Sequence, residues 1–222
     1  MFRFVSIMMG WLLATAGVAQ QQASSPVQSV VYVDIALSQR SQAVKAFSDY
    51  AAEIRKHAAL ASVELFEQRG RPGHYVLIEN WREQAALDAQ AVAQAMLATW
   101  LQKLRLSNVD RRPYKALDTA AAKTASNSGT YVISHVDAAP NQDVAAILQT
   151  WVTQSRAEEG NVRFDIVQHQ QRGNHYTVIA HWRDEAALQQ HEEAAHTRRF
   201  RDQFGPYAGS PLDERLFDAV PL

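Results

Sequence analysis

Residues 191–196 read HEEAAH, two histidines and two glutamates in six positions. The string is one residue longer than H-E-x-x-H, whose histidines bind zinc from neighbouring turns of a helix. Here His191 and His196 are five apart. Five residues turn an α-helix through about 500°, so the second histidine sits about 140° round from the first. On an unbroken helix the two face different ways and no third ligand stands at a standard spacing, so no metal is expected. His196 joins His191 in one pocket only if the helix kinks or breaks near residues 194–195. The stretch is then either a solvated helix face or part of another active site, in which a single histidine can move a proton. A neutral imidazole, with an ordinary pKa near ~6.5, can take a proton from a phenol or a hydroquinone.

Other chemistries lack their residues. The chain has no cysteine, so no thiol nucleophile and no disulfide. No glycine-rich phosphate loop follows a strand, and no G-x-S-x-G elbow occurs. With no flavin, nicotinamide or metal motif, an oxidation here would use no resident cofactor. His135 and His181 fall on expected strands and point toward the space between sheets, where satisfied hydrogen bonding is the first reading. His74 and His175 open the same strand in two related segments, which points to packing. The basic stretch RRFRDQF (198–204) reads as a solvated helix face.

Those side chains need a scaffold, and the sequence states it twice. HYVLIENWREQAAL (74–87) matches HYTVIAHWRDEAAL (175–188) without a gap. VYVDIAL (31–37) pairs loosely with TYVISHV (130–136), and ASVELFEQ (61–68) with NVRFDIVQ (161–168). A fixed-period repeat is read before anything else. It predicts two copies of one unit, 27–118 and 130–222, joined by a small, polar linker, 119–129. In each copy hydrophobic periodicity predicts strand, helix, hairpin, helix and strand. The first copy reads as strand 30–37, helix 42–57, hairpin strands 63–68 and 74–81, helical 82–104 and strand 112–117. The second reads as 131–136, 143–158, 162–169, 176–182, 185–203 and 215–219. The order βαββαβ is the ferredoxin-like plan. Its sheet has helices on one face only, and a second copy can cover the other. The fold expected is therefore α+β, two tandem ferredoxin-like units closing into a dimeric α+β barrel within one chain, with a further homodimer left open.

Composition narrows partners. With 47% apolar residues and a formal net charge of −1 over 222 residues, a core is expected and no nucleic-acid partner, which would need a concentrated basic surface. The first residues carry Arg3, an apolar run from Phe4 to Ala16, then small residues ending at Ala19. This three-part form predicts a signal peptide, residues 1–19. The run is short of the ~20 residues that span a bilayer, so no stable membrane span is expected after cleavage. An exported, periplasmic or secreted protein is the reading.

The stretch HWRDEAALQQHEEAAHTRRF, with Trp182, Ala187, Leu188, His191, His196 and Phe200, resembles the antibiotic biosynthesis monooxygenase domain of the dimeric α+β barrel superfamily. The resemblance spans both copies. It implies a cofactor-independent monooxygenase that oxidises an electron-rich phenol, hydroquinone or polyketide-like aromatic with O2. The alternative it leaves is a non-catalytic exported binder of a small hydrophobic ligand or haem. His191 and Trp182 are the implied catalytic pair, and Tyr176, Ala180, His196 and Phe200 the implied substrate wall. Tyr176, Val178, Ala180 and Trp182 share one strand face, and small Ala180 leaves room for a planar ligand. The first copy departs from the pattern, with Gln90 in place of His191, Ala95 in place of His196 and acidic Glu79 in place of Ala180. Haem-degrading relatives carry an asparagine on the first strand, and neither copy offers one. The second copy is therefore expected to hold the working site.

Overall fold

The computed structural model describes residues 25–120 and 128–222. The expected signal peptide lies outside them, as does the middle of the expected linker. No helix among the described residues is long and apolar enough to cross a membrane.

The first copy runs β1 (Val27–Asp34), α1 (Arg40–Ile54), β2 (Leu60–Gln68), β3 (His74–Trp81), α2 (Gln84–Asp88), α3 (Ala91–Leu101) and β4 (Asp110–Asp118). The second runs β5 (Thr130–Asp137), α4 (Ala145–Arg156), β6 (Asn161–His169), β7 (His175–Trp182), α5 (Glu185–Glu193), α6 (Ala195–Phe204) and β8 (Asp213–Val220). All pairings are antiparallel, and the eight strands close in the order β1-β3-β2-β8-β5-β7-β6-β4. Each copy's four-stranded sheet meets the other at its edges: β2 pairs with β8, and β4 with β6. Closure leaves no unpaired strand edge to recruit another chain.

Strand alternation sorts the apolar residues into layers. Val31, Val33, Leu65, Tyr75 and Leu77 face the first copy's helices, where α1 presents Ala43, Phe47, Tyr50 and Ile54 at helical spacing. Val136, Phe164, Ile166, Tyr176, Val178 and Trp182 face the second copy's helices. The intervening residues, among them Val30, Phe66, Ile78, Tyr131, Ile133, Ile179 and Phe217, fill the barrel from both copies. Each such fully buried large side chain contributes about 1.5–3 kcal/mol of transfer free energy. The barrel interior therefore ties the copies together as firmly as each is tied to its own helices.

Two sequence expectations shift. The first strand is Val27–Asp34, about three residues upstream of expectation, because polar Gln28 and Ser29 lie within it rather than before it. Its register against β3 pairs Val27 with Trp81, and that of β5 against β7 pairs Thr130 with Trp182. Val27 therefore corresponds to Thr130, 103 positions on, and the looser pairing of 31–37 with 130–136 is out of step. The second expected helix is broken in both copies: α2 and α3 in the first, α5 and α6 in the second. Beyond the break the buried positions Leu97 and Leu101 correspond to Phe200 and Phe204. The counterpart of His196 is accordingly Ala93 rather than Ala95.

Candidate functional site

The break between α5 and α6 builds the site. Asp184 caps α5, its carboxylate accepting from the Ala187 N–H at 2.8 Å, and those backbone donors hold its carboxyl below the usual range. The helix stops at Ala194, whose extended backbone (φ −65°, ψ 144°) also starts α6. His191 thus occupies the last turn of one helix and His196 the first turn of the next. Both reach the same oxygen of Glu158, in the connection between α4 and β6. His191 Nδ1 lies 2.6 Å and His196 Nε2 3.0 Å from Glu158 Oε1. The break at Ala194 meets the condition under which the two histidines share a pocket, and Glu158 supplies a third polar partner that no standard spacing had marked.

Around this trio the packing is aromatic. The Trp182 ring stacks on His191 at 4.5 Å, and the Phe164 and Trp151 rings lie 5.4 and 5.9 Å away. Trp151 in turn lies flat on Phe200 at 3.9 Å. Trp151 Nε1 donates to Thr197 Oγ1 at 3.4 Å, and that oxygen is 3.4 Å from His191 Nδ1. Burial pushes the His191 pKa down, while the adjacent Glu158 pulls it up less strongly. The resting imidazole is neutral at neutral pH. In the tautomer whose Nδ1–H donates a hydrogen bond to Glu158 Oε1, the lone pair is on Nε2. This is the arrangement of an oriented general base.

His191, Trp182, His196 and Phe200 therefore come together as expected, and Ala180 lies in the same core. Tyr176 does not join them. It sits six residues up β7, where Gln168 Nε2 donates to its hydroxyl at 3.2 Å. Ala180 itself is 2% exposed. It is buried in the core that the Trp151–Phe200 stack completes. Cavities of about 540, 440, 320 and 240 Å³ lie elsewhere, and none of the four is lined by His191, Trp182, Ala180 or Phe200. Sequence reasoning missed Glu158, Trp151 and Thr197. A signal existed for the first two: at the repeat's 101-residue spacing they stand where the first copy has His57 and Tyr50.

The same place in the first copy is built differently. Glu79, wholly buried, accepts from the Tyr50 hydroxyl at 2.9 Å, Trp81 Nε1 at 3.2 Å and Arg111 Nη1 at 2.8 Å. Desolvation and the Glu79 charge raise the Tyr50 pKa. Gln90, at the position of His191, only folds back on its own helix, donating to the Ala86 carbonyl at 3.1 Å.

The strand histidines hydrogen-bond through one ring nitrogen each, and His74 Nε2 is buried without a partner. His181 stacks on Tyr131 at 4.0 Å and its Nε2 lies 2.8 Å from the Ser128 carbonyl. His74 and His175 make equivalent contacts with Asp34 and Asp137, at 2.8 and 2.7 Å. Gly129, at φ +103°, lets the chain enter β5 past this point, since a Cβ there would fall 2.3 Å from the Trp182 carbonyl oxygen.

Known proteins carry the same design. A Bacillus subtilis (strain 168) protein named "Putative monooxygenase YcnE" is 37% identical over 65 residues, 29% of this chain and 68% of that protein. A solved structure named "Putative monooxygenase" from Fusobacterium nucleatum matches at TM-score 0.79 and 13% identity, over 89% of this chain and 94% of its own. Another of the same description, from Lactobacillus acidophilus NCFM, matches at TM-score 0.73 and 13% identity, over 88% and 94%. At such identities the two structures speak to the fold alone. The antibiotic biosynthesis monooxygenase profile matches residues 26–99 and again 132–203, one match on each copy. With the barrel and both helix pairs in place, the chain belongs to the antibiotic biosynthesis monooxygenase family and carries its domain twice.

Proposed function

We propose that the protein is a monooxygenase that oxidises an electron-rich phenol, hydroquinone or polyketide-like aromatic with O2, using the second copy's His191 as the base. The observation that carries this reading is the Glu158–His191 pair inside an aromatic shell, within a chain of this family. His191 Nε2 accepts the substrate's hydroxyl proton, and Glu158 steadies the imidazolium that results. The substrate anion passes an electron to O2, and recombination gives a carbon-bound peroxide. The peroxide collapses to a quinone and water: one ring C–H becomes C=O, the second oxygen atom leaves as water, and the substrate loses the four electrons that O2 gains. Trp182 and Phe200 exclude water from the charged intermediates. Substrate entry requires the corner at Ala194 to open, because the aromatic shell is packed shut at rest.

His191→Gln tests the reading, since it installs the first copy's residue at a site of similar size. We expect oxygen uptake on a hydroquinone panel to fall by at least 10²-fold, the low end of a general base's contribution, with circular dichroism unchanged. Undiminished turnover would sink the role. Action outside the cytoplasm after removal of residues 1–19 is part of the proposal, checked by the N-terminal sequence of the mature protein.

The burial of Ala180 and the roughly 540 Å³ cavity beside Trp81, Arg82 and Arg163 favour a second reading, a non-catalytic binder of a small hydrophobic ligand or haem. A ligand found in the purified protein by mass spectrometry, with no oxygen uptake on the panel, would select it.

A further inference from the structure

We infer that Glu158, His191 and His196 form a binding site for one divalent first-row transition-metal ion. Among the described residues this is the one group of three such side chains whose ligand atoms converge, all lying within 4.8 Å of one another. They come from three separate places: the α4–β6 connection, the last turn of α5 and the first turn of α6. Zinc binds imidazole nitrogen and carboxylate oxygen at about 2.0–2.2 Å, which sets neighbouring ligand atoms about 3–3.5 Å apart. The two oxygen–nitrogen separations, 2.6 and 3.0 Å, are close to that already. The two nitrogens lie within 4.8 Å of each other, and the His196 ring sits at the rim of the cluster with 17% of its side chain exposed.

The donor set selects the class of ion. Two imidazoles and one carboxylate suit zinc, iron(II), cobalt(II) or nickel(II), whereas calcium and magnesium take oxygen ligands. Two histidines and a carboxylate leave coordination positions free for water or a ligand. The Trp182, Phe164 and Trp151 rings packed around His191 fix the plane of the imidazole before an ion arrives. The first copy has His57, Gln90 and Ala93 in the corresponding places, so the stoichiometry is one ion per chain.

The site does not rest on the oxygenase reading, and the two uses exclude each other. A metal bound through His191 Nδ1 and Glu158 replaces the contact that orients the imidazole and leaves the ring proton on Nε2, the atom that must accept the substrate's proton. The ion therefore inhibits the proposed oxidation, and metal supply sets how much of the enzyme is free to turn over.

The test is calorimetric titration of the chelator-treated full chain with zinc chloride alone, repeated with cobalt(II) to read visible absorption bands. We expect one equivalent bound per chain, no heat with magnesium, and affinity lower by about 100-fold or more in both Glu158→Gln and His196→Ala. His196 is partly exposed, so its variant folds even where a change at His191 does not. Absence of zinc binding by the wild type, or undiminished affinity in either variant, overturns the site. Because substrate is absent, the result is independent of whether the protein oxidises anything.

Discussion

Both copies bury a strand carboxylate against arginine, Glu79 in the first and Asp165 in the second, but the second adds a half-buried loop carboxylate, Glu158, beside two histidines, and this separates a structural half from a reactive one. Glu79 is fixed from three sides by Tyr50, Trp81 and Arg111, with a cation to balance it. Its counterpart is Ala180, Tyr50 is replaced by Trp151, and Arg111 by Glu214. With charge and counter-charge both gone, that core is filled by flat aromatic rings. The second copy's added carboxylate, Glu158, is partly exposed at the rim and bonds only to histidines. A charge locked into an ion pair stabilises one arrangement, whereas a carboxylate shared by two imidazoles orients both rings without a fixed counter-charge.

The sharpest way to test that contrast is to remove each carboxylate. Glu79→Ala strands Arg111 in a largely buried position and should cost about 3–5 kcal/mol of unfolding free energy, read from urea denaturation. An effect below about 1 kcal/mol would erase the distinction drawn here. Tyr50→Phe deletes one bond to the same carboxylate and should cost about 1.5–3 kcal/mol. Glu158→Gln should cost about 1 kcal/mol or less, because an amide keeps much of the hydrogen bonding to the two imidazoles. It should nonetheless lower oxygen uptake on a hydroquinone at least tenfold, so stability and turnover respond in opposite order in the two copies.

The smallest expected effect is on pH dependence. His135, His169, His181 and His191, all in the second copy, are held below the ordinary histidine range, in each case chiefly by burial. A folded-state pKa below the unfolded value means that the unfolded chain binds more protons as pH falls through about 6.5. Stability is therefore complete above that pH, declines on acidification, and levels off below the folded-state values. His181→Phe should flatten the decline of Tm between pH 7 and pH 5. An unchanged slope would show that His181 does not contribute to it.

Much of this contrast is legible in sequence, and the illegible part has physical causes. The repeat is carried by the hairpin and its tryptophan, where strand alternation and core packing constrain every second residue. The substitutions of Glu79 by Ala180 and of Gln90 by His191 are visible there. The break at Ala194 is marked in the sequence only as the condition for the two histidines to meet, because it involves neither glycine nor proline, only two alanines that favour an unbroken helix. Glu158 hides for a related reason. It lies in the polar run RAEEGN beyond a helix end, where acidic residues are usually solvated, and only tertiary packing brings it under α5. The start of β1 is obscured by Gln28 and Ser29, polar side chains that a closed barrel buries.

One contact across the seam between copies has a consequence for assembly. Arg163 of β6 donates to Glu64 of β2 at 2.7 Å and to Asp165 on its own strand at 2.6 Å. At the repeat's spacing Ser62 stands where Arg163 does, and Glu64 where Asp165 does. A symmetric dimer must present every contact twice, since the same patch faces itself. This one cannot be doubled. Two first copies facing each other would place Ser62 where Arg163 stands and lose this ion pair. Joining the copies in one polypeptide frees the interface from self-complementarity, so a contact made once can tie two unlike halves.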